Sequence, residues 1–105
     1  MAKEKLPSQR EAVILSILIN GEKYGREIRN EYEQHTGRKM PFGSLYTTLM
    51  RMERYGFIKS WLGESTHERG GNRRKYFEMT GYGERSLHNF EAFISEAIFR
   101  VPSRV

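Results

Sequence analysis

The stretch "GSLYTTLMRMERYG", residues 43–56, decides how this chain is read. Its apolar residues Leu45, Leu49 and Met52 are spaced four and then three apart, the signature of one helical face. Ser44, Thr47, Thr48, Arg51 and Arg54 fall on another side. A helix that shows short hydroxyls beside long cations can approach a partner closely and still reach into it. Gly56 stops the helix, and "FIKSWL" (57–62) then reads as a strand. "GESTHERGGN" (63–72) reads as a loop turning at Gly70-Gly71-Asn72, and "RRKYFEMT" (73–80) as the returning strand of a hairpin.

Upstream, a first helix is expected from about Ser8 to Asn20. Pro7 suits its start, Ser8 can cap it, and Glu11 stands where a capping box needs it. It is apolar nearly all round after Ala12, so more than one side should be buried. Leu15 and Leu18 are assigned to a side that faces a second subunit. A second helix is expected from about Tyr24 to Thr36, with Ile28 and Tyr32 on its core side and Gly37 at its stop. Pro41 biases Met40 away from helix.

Downstream, a fourth helix should start between Thr80 and Gly83 and run to about Arg100, closed by Pro102. Leu87, Phe90, Ile94, Ala97 and Val101 repeat at 3, 4, 3, 4, and Phe93 and Ile98 widen that seam. All seven are assigned to a dimer interface. The expected fold is mostly α with a small β-hairpin: a winged helix-turn-helix of three helices plus wing over 1–79. The C-terminal dimerisation helix, 80–105, belongs to the same structural unit.

Charge points to the partner. Residues 38–75 carry nine Lys/Arg against three Glu, net +6, while the whole chain carries +5. The excess is confined to the segment holding the third helix and the wing. A localised basic surface attracts polyanions, because neutralised phosphates release their counterions. Cysteine is absent, so disulfides and thiolate metal sites are excluded. His35, His67 and His88 are isolated, and neither a metal site nor a cofactor is expected. No nucleophile–base set or phosphate loop is visible, and an enzyme is not expected. The apolar run 12–19 falls short of the roughly 20 residues that span a bilayer, which suggests a cytoplasmic protein and no membrane partner.

These elements assemble into a reading of double-stranded DNA. Helix 43–55 would enter the major groove, where Thr methyls meet thymine methyls and Arg pairs with guanine. The 62–75 wing would lie on flanking DNA. The residues assigned to contact are Arg38, Lys39, Ser44, Thr47, Thr48, Arg51, Arg69, Asn72, Arg73, Arg74 and Lys75. A two-fold dimer would demand a roughly palindromic site.

The chain also resembles the PadR-like transcriptional regulators. Leu45-Tyr46, Leu49, Met52-Glu53, Gly56-Phe57-Ile58, Arg74-Lys75-Tyr76-Phe77 and Thr80-Gly81 match that family's pattern, and "GEKYGREI" (21–28) is similar to its lead into helix two. The resemblance covers roughly residues 12–100 and is closest to the short subgroup with a single C-terminal helix. It implies a homodimeric promoter-binding regulator, usually a repressor, with a place at the dimer centre for a small aromatic effector. Pro41 departs from the family's Ser or Thr, and Arg26 stands where Tyr is frequent. Trp61, the only Trp, is expected to pack at the base of the wing. The other reading is a winged-helix protein–protein module, which exposed Met50 and Tyr55 would suit. RNA binding is disfavoured by the want of an aromatic platform on a sheet.

Overall fold

The computed structural model describes residues 5–64 and 73–100, with side chains to residue 98. Its elements are α1 (Gln9–Ile17, continued by a tight turn at Leu18–Asn20), β1 (Lys23–Tyr24), α2 (Gly25–Thr36), α3 (Phe42–Tyr55), β2 (Ile58–Leu62), β3 (Lys75–Met79) and α4 (Gly81–Arg100). The chain is a winged helix-turn-helix: a helical core, a small antiparallel sheet and a long last helix.

Local chemistry sets the boundaries. The Ser8 hydroxyl accepts from Glu11 N–H (3.2 Å), while a Glu11 carboxylate oxygen accepts from Ser8 N–H (2.8 Å), the reciprocal capping box. Gly37 (φ 70°) and Gly56 (φ 85°) end α2 and α3 in the left-handed conformation that a side chain would strain. The Thr80 hydroxyl accepts from Gly83 N–H (3.0 Å) and donates to the Gly56 carbonyl (2.6 Å), so one side chain starts α4 and ties it to the end of α3.

The sheet has the order β1-β3-β2. Lys23 and Tyr24 pair with Phe77 and Tyr76, and Ile58 to Leu62 pair with Met79 to Lys75. β1 is absent from the sequence reading, because two residues carry no period of their own. One sheet face puts Phe77 and Ile58 into the core. The other carries an aromatic row, Tyr24 edge-on to Tyr76 (5.8 Å) and Tyr76 stacked on Trp61 (6.2 Å). An aromatic row therefore does exist on the sheet, contrary to expectation. Its rings face one another, and the Arg74 guanidinium lies 4.5 Å over Tyr24.

The core joins Ile14, Leu15 and Leu18 of the first helical segment to Ile28, Leu45, Leu49, Met52, Phe57 and Phe77. α1 packs against both α2 and α4. That central position corrects part of the expected dimer interface. Leu15, Leu18 and Leu87 are 0%, 2% and 3% exposed inside this single chain and have no side-chain surface left for a partner. Phe90 packs partly against the same core. Farther along α4, Phe93, Ile94 and Ile98 are exposed, as is Ala97. Val101 lies outside the described residues, as do Pro102 and most of the wing loop, 65–72.

Gly83 is the tightest point of this assembly: a Cβ there would meet the Phe57 carbonyl oxygen, which is backbone and cannot swing away. Gly83→Ala should destabilise the fold by about 1–3 kcal/mol, as overpacking does. At roughly 4–8 °C per kcal/mol for a domain of this size, thermal melts should show it plainly. An unchanged melting temperature would mean that α4 does not start against Phe57.

Candidate nucleic-acid interface

The turn between α2 and α3 is clamped from α2. A Glu33 carboxylate oxygen accepts from Met40 N–H (2.6 Å), and Arg29 Nε donates to the Met40 carbonyl (2.9 Å). The Met40 side chain is buried, and the Arg29 guanidinium lies 4.5 Å over the Phe42 ring. α3 therefore leaves the turn at a fixed angle although Pro41, at its cap position, offers no side-chain hydrogen bond.

Leu45, Thr48, Leu49 and Met52 are the buried side of α3. Thr48 was assigned to DNA, but it is 2% exposed and its hydroxyl donates to the Ser44 carbonyl (2.9 Å). Burial beside Leu45 and Leu49 corrects that assignment. At 100° per residue, the line opposite the buried side runs through Gly43, Thr47, Met50 and Arg54, all exposed. Ser44 and Arg51 flank it. Arg51 leans toward α1, with Nε 3.5 Å from a Glu11 carboxylate oxygen. Glu11 is 4% exposed, and a buried carboxylate requires such partners. The Arg51 side chain keeps 44% exposure, so it is both an internal ion-pair partner and a surface cation.

Beside α3 lies a concavity of about 520 Å³ lined by Tyr24, Gly25, Arg26, Phe42, Tyr46, Arg73, Arg74 and Lys75. It sits where the first turns of α2 and α3 meet the beginning of β3. Helix starts leave backbone N–H groups pointing outward, and here four cationic side chains share the rim. Of the assigned residues, Arg73, Arg74 and Lys75 come together in this concavity. Arg38 and Lys39 line a separate surface groove with Arg10, Val13, Tyr32 and Thr36. Arg69 and Asn72 lie outside the described residues. The sequence reading omitted Tyr24 and Arg26, whose positions follow from β1 pairing with β3, and Phe42, which the clamped turn before α3 places. Lys75 is 5.9 Å over Phe77, so cations of the returning strand rest on aromatic rings.

The sequence pattern of the PadR-like transcriptional regulator family matches residues 14–89. The chain belongs to that family. Its members are regulators and not enzymes. A transcriptional regulator from Clostridium thermocellum is similar over 86% of this chain and 85% of its own, at 30% identity and TM-score 0.69. A PadR family transcription regulator from Clostridium difficile is 28% identical over 89% of this chain and 97% of its own, TM-score 0.69. Bacillus subtilis PadR, solved with operator DNA, shares the fold at 21% identity and TM-score 0.66, over 85% of this chain and 58% of its own. Comparison with curated proteins returns no match. Among the described residues, no helix is long and apolar enough to cross a membrane, and no metal-binding cluster is found.

Gly25 shapes the concavity. A Cβ there would run into the Tyr46 hydroxyl, the far end of a side chain that is 39% exposed and not backbone. Gly25→Ala should therefore cost under about 1 kcal/mol, against 1–3 for overpacking on a rigid neighbour. It should nonetheless displace Tyr46. In the Tyr46→Ala background the substitution should cost nothing, a non-additivity that melts of the four proteins would measure.

Proposed function

We propose that this PadR-like protein is a sequence-specific double-stranded DNA-binding regulator acting as a homodimeric repressor. α3 enters the major groove with Ser44, Thr47 and Arg51 toward base edges and phosphates. The wing is proposed to lie on flanking DNA, and the contacts assigned to Arg69 and Asn72, which lie outside the described residues, belong to that proposal. One observation carries the reading: the basic concavity of Arg26, Arg73, Arg74 and Lys75 opens directly beside the outward face of α3. Cations at helix starts suit phosphate, and a helix placed next to them suits the groove between phosphates. The operator complex of Bacillus subtilis PadR supports the same use of the fold. Arg38 and Lys39, on their own groove, are proposed as outer backbone contacts.

Dimerisation is proposed through the exposed part of α4. Phe93, Ile94, Ala97 and Ile98 form an apolar surface that the described residues leave exposed. A two-fold dimer would place two α3 helices on a roughly palindromic operator. A small aromatic effector would enter at the dimer centre, between the two α4 helices.

Fluorescence anisotropy tests the reading. The duplexes are the DNA just upstream of the protein's own coding region and a scrambled control, from about 50 to 200 mM salt. Binding that survives at high salt only for the upstream duplex is the expected result. Lys75→Ala should weaken both duplexes alike and reduce the salt slope by about one. No binding to either duplex at low salt would favour the protein–protein module. Separately, Phe93→Glu with Ile98→Glu should convert a dimer to a monomer in sedimentation equilibrium with the fold intact, since neither side chain is buried in the chain's own core. A dimer that persists would place the interface elsewhere.

A further inference from the structure

The outward line of α3 is not uniformly polar. Met50 stands at its middle with 60% of its surface exposed, one turn from Thr47 on one side and Arg54 on the other. It is the most exposed large apolar side chain of α3, ahead of Tyr46 (39%), Phe42 (38%) and Tyr55 (36%). Those three have ring partners: Phe42 and Tyr46 stack on each other, and Tyr55 meets Phe57 edge-on. Met50 is not among the side chains packed against the core. A single exposed apolar residue is ordinary on a protein surface. The position of this one is not, because it projects from the centre of the face that the proposed function turns toward base pairs.

The one apolar group that projects from the base-pair edges into the major groove as a heavy atom is the C5 methyl of thymine. A charged or amide side chain at position 50 would favour a purine edge or a cytosine amine. An unbranched thioether has no strong donor or acceptor and adapts its shape, so its favourable contact there is apolar. The surroundings allow it to descend. Nothing lies within 4 Å of where a Cβ would stand on Gly43, two turns earlier on the same line. Thr47 is short, and Arg51 is drawn aside toward Glu11.

Resting on the DNA-binding reading, we infer that Met50 is a specificity-determining residue that selects thymine, by its methyl group, at the operator base pair beneath the middle of α3. The interaction requires no proton and no charge. The factor by which thymine is preferred over uracil should therefore change little with salt, while overall affinity falls.

The test begins with selection of an operator from random duplexes by the full protein. Each thymine of the selected half-site is then replaced in turn by deoxyuridine, which removes the methyl and nothing else. One position should weaken binding by about fourfold, the effect of losing one buried methyl-sized group. In Met50→Ala, whose melting temperature should be unchanged, the same replacement should have no effect, and selection should relax at that base pair alone. Binding that is specific but insensitive to every deoxyuridine, or equally sensitive in both proteins, would overturn the inference while leaving the regulator reading intact. Failure to select any operator would overturn both, and the exposed Met50 would then be better suited to an apolar pocket on a partner protein.

Discussion

The geometry of the candidate interface depends on how Met40 is held. Its N–H and its carbonyl are both taken by α2 side chains, Glu33 and Arg29, and its own side chain is buried. A five-residue link with a proline at its end has few ways to satisfy its backbone internally. α2 supplies the partners, and Arg29 continues over the ring of Phe42 at the start of α3. Without this clamp the two helices would share a hydrophobic contact but no defined angle. With it, the outward line of α3 and the start of α2 keep a constant relation, and the β3 cations can close the space between them.

Much of this was legible in the sequence because it is written in short-range chemistry. The Ser8–Glu11 capping box, the glycine stops at Gly37 and Gly56, and the core face Leu45-Leu49-Met52 each lie within a few residues of one another. What was missed depends on contacts distant in sequence. Helical spacing says which residues share a side, not how many neighbours cover it. Thr48 shares a side with Leu45 and is buried with it. Leu15 and Leu18 were assigned to a partner because α1 has more apolar surface than one neighbour needs, and α2, α4 and the sheet together cover it. Arg51 carries the signature of a base reader, but a buried Glu11 forty residues upstream claims part of it. β1 is invisible without β3, more than fifty residues later.

The basic character of the site has a structural counterpart in its aromatic rings. Arg74 rests on Tyr24, Lys75 on Phe77 and Arg29 on Phe42. Each such contact contributes about 0.5–1 kcal/mol at an exposed site, too little to secure a fold but enough to bias where a long side chain spends its time. Like charges crowded on one rim repel, and the rings hold them apart in chosen directions.

The two residues of β1 give the protein a mechanical property. Lys23 and Tyr24 belong at once to the sheet, through Phe77 and Tyr76, and to the approach to α2, which begins at the next residue. The root of the wing and the start of α2 are thus a single hydrogen-bonded piece, like the fixed jaw of a caliper. Changes in length or composition at the loop tip can alter how far the wing reaches. They do not alter the span between its root and the start of α2. Whatever the tip carries, the gauge between wing root and α2 is set by this pairing alone.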